Sequence, residues 1–193
     1  MQEYKKILRE EIITTCKKIS HDYMDNASNQ IVQHSHKLLL PAINIAVYRA
    51  YMWEMNLNPL IQYCISLHKK VFQPIAFKHD KNMLLEPYCA SKTNIFTLTT
   101  NTHSIDHAIK WYNLDLIFIP VVAVDKMGRR LGKGGGYYDT TLANIRNNLN
   151  VNKNVAPILC GVGYSCQLVE QIPIDVWDIR LDYFLSEDTL IKF

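Results

Sequence analysis

The chain has 193 residues, of which 48% are hydrophobic and 20% charged, values ordinary for a globular protein. A chain this long buries about 70% of the surface it exposes when unfolded, so residues 1–193 are expected to form one domain without disulfides or a structural metal. These values exclude a disordered chain, a collagen-like chain and a Cys-dense secreted scaffold, and a net charge of +3 is too mild to argue for nucleic acid.

Residues Glu3 to Ile19 read as a helix, with Leu8, Ile12, Thr15, Cys16 and Ile19 recurring on one face. Ser20 or Asp22 can cap a second helix that carries Ala27, Ile31, Ser35 and Leu38 on one side and ends at Pro41. Ile43 to Tyr48 reads as a buried strand. Asn58-Pro59 supplies a polar cap and a proline in the first turn of a third helix, which runs to about His68. Val71 to Phe77 is a strand, and Met83 to Thr99 reads as short strands or a hairpin, with Pro87 confining one piece to an edge. His103 to Trp111 reads as a short helix.

The clearest strand is Leu114 to Ile119, an apolar run stopped by Pro120. A second apolar stretch follows, Val121 to Val124, then glycine-rich sequence and a helix from about Tyr137 to Asn147. Val155 to Val162 is another strand, and Leu181 to Leu185 reads as the last. Strands alternating with helical segments predict an α/β fold with a mostly parallel sheet. No apolar run reaches the ~20 residues of a membrane span. Met1 to Glu10 carries charge without an apolar core, so no signal peptide is expected and the cytoplasm is the simplest compartment. The five cysteines are odd in number and contain no CxxC pair, which predicts reduced structural thiols.

The segment from Asp125 to Asp139 carries the chemistry. Four of the seven glycines of the chain lie between Gly132 and Gly136. A glycine loop leading from a strand into a helix aims backbone N–H groups and the positive helix end at one point, where phosphate oxygens fit. Arg129, Arg130 and Lys133 add full positive charges. It is not a P-loop, because no Lys-Ser or Lys-Thr follows. It is not the dinucleotide fingerprint either, because Tyr137 stands where the third glycine would allow close helix–strand packing.

The segment resembles the signature of the 5-formyltetrahydrofolate cyclo-ligases, also called methenyltetrahydrofolate synthetases. The resemblance runs through Asp115-Leu116, Pro120, Asp125, Gly128, Arg130-Leu131-Gly132, Gly134, Gly136 and Tyr137-Tyr138-Asp139. A second block supports it: Gly163-Tyr164, Cys166-Gln167-Leu168-Val169, Ile172-Pro173 and Trp177-Asp178. The opening Lys5-x-x-Leu8-Arg9 also matches, and the likeness is weak only from Phe77 to Trp111. It implies a three-layer α/β/α sandwich of the kind found in sugar-phosphate isomerases and CoA-transferases. It implies cyclisation of 5-formyltetrahydrofolate to 5,10-methenyltetrahydrofolate with ATP and Mg²⁺, releasing ADP and phosphate.

The resemblance also implies roles. Lys5, Lys6, Arg9 and the loop Arg130, Leu131, Gly132, Lys133, Gly134, Gly135, Gly136, Tyr137 and Tyr138 would bind ATP. Arg49, Glu54 and the loop centre from Lys133 to Tyr137 would line the folate site. Lys133 and Tyr137 would be the catalytic pair, and Asp139 and Asp178 the magnesium carboxylates. Tyr51, Trp53, Met83 and Phe96 could pack on the substrate's rings. The substrate could be polyglutamylated, and the enzyme is expected to be a monomer that binds neither nucleic acid nor membrane. Departures from the pattern are Thr140, where Arg often follows Tyr-Tyr-Asp, and a Glu-Pro pair replaced near Thr100-Asn101. Lys133 also stands where many bacterial members carry an apolar or aromatic residue. His103 and His107, four apart, lack further ligands for a metal. Two rival readings are a sugar-phosphate isomerase or CoA-transferase relative, which would need a catalytic carboxylate base beside the loop, and a folate- or RNA-holding relative without turnover.

Overall fold

A parallel strand covered on both faces needs an unbroken apolar run. The run that ends at Pro120 lies at the centre of the sheet in the computed structural model, which describes residues 2–77, 80–89, 110–143, 156–173, 175 and 178–193. That strand, β4 (Leu116–Pro120), has β1 (Asn44–Ala46) on one side and β7 (Ile158–Val162) on the other, both parallel to it. Beyond β1 come β2 (Lys70–Phe77), parallel, and β3 (Asp80–Pro87), antiparallel at the edge. Beyond β7 come β9 (Tyr183–Leu185), parallel, and β10 (Leu190–Lys192), antiparallel at the other edge. The seven strands run β10-β9-β7-β4-β1-β2-β3. The strand ending at Leu185 is therefore not the last. A short turn through Ser186, whose N–H donates to Thr189 O, returns the chain as β10.

Residues on these strands alternate between two buried clusters. Ile45, Leu116, Phe118, Cys160, Val162 and Leu185 join the first, built from helices α2 (His21–Leu39) and α3 (Asn58–Ser66) through Ile31, Leu39, Leu60 and Ile61. Ala46, Ile117, Ile119, Leu159 and Phe184 join the second, with Trp111, Ile179, Leu181 and Leu142 of the helical residues 137–143. Period-two side chains buried on both faces make the three-layer arrangement.

Helix starts were chosen by local chemistry. Ser20, not Asp22, caps α2, its Oγ accepting from Tyr23 N–H at 3.3 Å. Asn58 is the first helical residue of α3, and Leu57 occupies the cap position without a side-chain bond. The polar partner is one residue further back: Asn56 Oδ1 accepts from Asn58 N–H at 3.0 Å. The expected helix before Trp111 lies outside the described residues up to position 109, and Trp111–Asn113 is a single 3-10 turn. Residues 90–99 and 144–155 also lie outside them.

A second, small sheet, β6-β5-β8, sits past Pro120. It comprises β5 (Ala123–Asp125), β6 (Arg130–Leu131) and β8 (Leu168–Val169). Its Ala123, Leu131 and Val169, with Ile172, pack against Leu8 and Ile12 of helix α1 (Gln2–Cys16). Thr15, expected on that apolar face, is exposed and returns its hydroxyl to Glu11 O at 3.0 Å. Lys5 and Arg9 share the stripe with Leu8 and Ile12, so docking of α1 carries both cations toward the ends of the main strands.

Candidate functional site

From β1 the chain crosses in one direction to β2 and β3; from β4 it crosses in the other to β7, β9 and β10. The order reverses between β1 and β4, and in open α/β sheets ligands settle outside the carboxyl ends of the strands at such a point. A cleft of ≈ 1410 Å³ opens there. The segment after β1, from Tyr48 to Asn58, forms one wall, and the glycine loop after β6 forms the other. Pro120, which ends β4, and Val121 and Val122, which follow it, also line it, as do Lys5 and Arg9 of α1.

The cleft has a polar frame. Lys5 is buried, and its Nζ donates to Asp178 Oδ2 at 2.8 Å and Asp175 Oδ2 at 2.9 Å. Burial alone would lower the Lys5 ammonium; the hydrogen bonds to Asp178 and Asp175 outweigh it and hold the group above its ordinary value. Arg9 Nε donates to Gly132 O at 2.8 Å, clamping the loop's first glycine to α1. Arg130 is buried and pairs through Nη2 with Asp139 Oδ1 at 2.5 Å, while its Nε has no partner among the described residues. Gly134 and Gly136 hold φ of +94° and +74°, backbone that favours glycine. They turn the loop into the helical residues 137–143.

Across the cleft, Lys133 Nζ pairs with Glu54 Oε1 at 2.8 Å and lies 4.9 Å from the Tyr51 ring centre and 5.4 Å from that of Trp53. Glu54 is buried and its second oxygen accepts from Tyr51 N–H at 2.8 Å. Burial, then the Glu54 charge, pushes the Tyr48 and Tyr138 hydroxyls well above their usual range, so both are neutral donors at neutral pH. Tyr48 spends its proton on Met55 O at 2.9 Å.

The structure brings together Lys5, Arg9, Arg49, Glu54, Asp139, Asp178 and the run from Arg130 to Tyr138. It does not bring Lys6, which is exposed on α1 and is not among the residues lining the cleft. Arg129 is also directed away: its guanidinium pairs with buried Asp125. Asp125 also accepts from the N–H groups of Met127 and Ile172, at 2.9 and 2.8 Å, which fixes the tight turn through Gly128. Arg49 faces the cleft but is committed to Gln73 Oε1 at 2.8 Å and stacks on Tyr88 at 5.4 Å. Met83 and Tyr51 line the cleft, and Trp53 lies buried beneath Lys133. Phe96, Thr100, Asn101, His103 and His107 lie outside the described residues.

One supporting residue escaped the sequence reading, and two others stand in the second block of the resemblance without a role. Asp175 completes the Lys5 cage, 170 positions away in the chain; its only signal is the Asp-x-x-Asp spacing to Asp178. Gln167 Nε2 donates to Val121 O and Val122 O at 2.7 and 3.0 Å, holding the cleft floor. Tyr164 lines the cleft fully buried, with its hydroxyl unpartnered among the described residues.

A model of the 5-formyltetrahydrofolate cyclo-ligase family matches residues 1–187. The chain belongs to that family. A cyclo-ligase relative from Haemophilus influenzae is 33% identical over 183 residues, covering 90% of this chain and 94% of its own. One from Escherichia coli is 31% identical over 144 residues, covering 72% and 75%. Among solved structures, a 5,10-methenyltetrahydrofolate synthetase from Aquifex aeolicus superposes with a TM-score of 0.76 at 24% identity, over 97% of this chain and 92% of its own. One from Mycoplasma pneumoniae gives 0.73 at 21% identity, over 95% and 98%. These two share the cyclo-ligase fold seen here, and the family consists of ligases that close a ring through a C–N bond.

Proposed function

We propose that the chain converts 5-formyltetrahydrofolate into 5,10-methenyltetrahydrofolate at the expense of ATP, with Mg²⁺, as a single-domain enzyme. The observation that carries this reading is the facing of a glycine loop, framed by Lys5, Arg9 and Arg130, against a buried carboxylate, Glu54, in one cleft.

The formyl group on N5 is amide-like, and its oxygen is a poor leaving group. Transfer of the γ-phosphoryl group to that oxygen makes it a good one. N10 of the substrate then attacks the formyl carbon, and phosphate departs as the ring closes. Both nucleophiles belong to the substrate, so the protein supplies placement and charge. The N–H groups of residues 132–136, with Arg9 and Arg130, cradle the phosphates, and Tyr138 closes the loop. Lys133 and Tyr137 stand between the two substrates, where Lys133 offsets charge on the transferring group. Glu54 accepts hydrogen bonds from the pterin's amino and ring N–H groups once Lys133 swings off it.

Asp139 and Asp178 suit magnesium. Both line the cleft and offer hard oxygen donors, and among the described residues each engages one carboxylate oxygen with a cation. Magnesium is commonly held by one or two carboxylates together with phosphates and water, so the pair suffices although no cluster of three His, Cys, Asp or Glu occurs among the described residues. Bound there, the ion would neutralise phosphate charge.

The test is an absorbance assay for the methenyl product with 5-formyltetrahydrofolate, ATP and Mg²⁺. Product formation that requires all three is expected. Folded protein that binds folate but forms no product would leave only a binding role.

A further inference from the structure

Arg49 is a charge without a counter-charge. Of the lysines and arginines that line the cleft, Lys5 meets Asp178 and Asp175, Arg130 meets Asp139, and Lys133 meets Glu54. Arg9 and Arg49 have no carboxylate partner among the described residues. Arg9 clamps Gly132 O beside the glycine loop, at the phosphate end of the cleft. Arg49 stands apart from it, half-buried past the end of β1, where it leans on β2 and on the residues that follow β3.

Its side chain is held on three sides. Arg49 Nε donates to Gln73 Oε1 at 2.8 Å, Nη2 donates to Cys89 O at 2.5 Å, and the guanidinium carbon lies 5.4 Å from the Tyr88 ring centre. Gln73 is buried on β2 opposite Glu86 on β3, and its Nε2 donates to Glu86 Oε1 at 2.6 Å. An amide whose NH₂ end is taken by a carboxylate presents its oxygen the other way, so Glu86 fixes the end of Gln73 that Arg49 meets. Every group that orients Arg49 is neutral, and none offsets its charge. A guanidinium carries five N–H donors in a planar fork; those beyond the two bonds to Gln73 and Cys89 have no partner among the described residues. A half-buried cation left so is costly without an anion, and a fork already fixed in place suits a carboxylate, which it can bind through two parallel bonds.

We infer, resting on the folate reading of the cleft, that Arg49 binds a carboxylate of the glutamate tail of 5-formyltetrahydrofolate and sets a preference for substrate that carries it. Two kinds of anion enter with the substrates: the triphosphate and the glutamate carboxylates. Arg9, Arg130 and the loop N–H groups receive the first, and Glu54 takes the pterin edge. Arg49 is the cation on the cleft wall that remains for the second.

The test is calorimetric titration of the native chain, Arg49→Leu and Arg49→Lys with three compounds: 5-formyltetrahydrofolate, its analogue with both glutamate carboxylates converted to amides, and ATP with Mg²⁺. The native protein is expected to bind the acid about 10- to 100-fold more tightly than the diamide, the range of a charge-assisted hydrogen bond. Arg49→Leu should weaken the acid by that factor and leave the affinities for the diamide and for ATP unchanged. Arg49→Lys, which keeps the charge without the fork, should retain part of the preference. Equal weakening of acid and diamide in Arg49→Leu would reduce Arg49 to a residue of the cleft wall. Loss of ATP affinity would make it a phosphate ligand, and native protein that binds acid and diamide alike would place the tail in solvent. Each of these overturns the inference while the native protein still forms the methenyl product. Native protein that binds neither folate compound would overturn the folate reading, and this inference with it.

Discussion

Glu54 meets two needs that pull in different directions. Its burial demands compensation, which Lys133 Nζ and Tyr51 N–H supply at 2.8 Å each; its proposed work demands that one partner leave when folate arrives. Hydrogen bonds to a charged group are worth about 1.5–3 kcal/mol, so Glu54→Gln is expected to weaken 5-formyltetrahydrofolate binding about 10- to 100-fold. Calorimetric titration should show nucleotide affinity unchanged. An unchanged folate dissociation constant would remove Glu54 from the site. Asp139 is tested differently. Asp139→Asn keeps an acceptor for Arg130 but removes a full negative charge from the phosphate end. Turnover is expected to fall ~100-fold, the scale of losing one electrostatic contact to a reacting group, with a raised magnesium requirement. Wild-type rates across a magnesium titration would contradict the assignment.

At the scale of elements, helix α1 is a lever whose apolar and cationic residues share one stripe. Leu8 and Ile12 dock it on the small sheet, while Lys5 and Arg9 project from the same side into the cleft. Ile12→Ala leaves every cleft contact chemically intact. It should still raise the KM for ATP more than that for folate, because the loop clamp from Arg9 to Gly132 O loosens; equal effects on the two would argue against the lever. The turn between β5 and β6 leaves no room for a side chain at Gly128. Gly128 has φ of +72°, and a Cβ there would meet Leu181 O at 2.8 Å. Backbone cannot yield as a flexible side chain can, so Gly128→Ala should lower the unfolding midpoint, a change read by thermal melts. Helix α2 is tied down by Glu187, which accepts from Tyr23 OH at 2.7 Å and from Ser165. The bond to Glu187, then burial, pushes the Tyr23 hydroxyl from 10.0 up to about 12. A folded-state pKa above the unfolded one gives stability that is complete below pH 10 and is lost as pH rises through about 12. Tyr23→Phe should therefore flatten the decline in stability across that window, measured by denaturant melts at stepped pH. An unchanged decline would show that the hydroxyl is not held.

For the molecule as a whole, the layered α/β plan was readable because its signals are local. Ser20 before a periodic run, Pro120 after an apolar run and Pro87 on an edge each act within a few residues. What escaped depends on contacts distant in sequence. The partnership of Lys5 with Asp175 joins the two ends of the chain, and the commitment of Arg129 to Asp125 depends on how the small sheet folds. Both are invisible to spacing, which is why Arg129 counted among the positive charges beside the loop while Asp175 drew no notice. Lys6 was carried along with its neighbours by motif, although helical geometry turns it roughly 100° from Lys5. The strand β10 was missed because three residues after a tight turn carry too little pattern. The glycine loop itself was legible, since four glycines bordered by cations leave few physical uses. Its position at the reversal between β1 and β4 needed the strand order.

That position is the central claim: nucleotide and folate meet in one cleft at the reversal of the sheet. A crystal structure with ADP, magnesium and 5-formyltetrahydrofolate tests it most directly. The account predicts phosphate oxygens within hydrogen-bonding reach of the N–H groups of residues 132–136 and the pterin edge on Glu54, with Lys133 displaced from it. Nucleotide density at another surface, with the glycine loop empty and Lys133 still on Glu54, would contradict it.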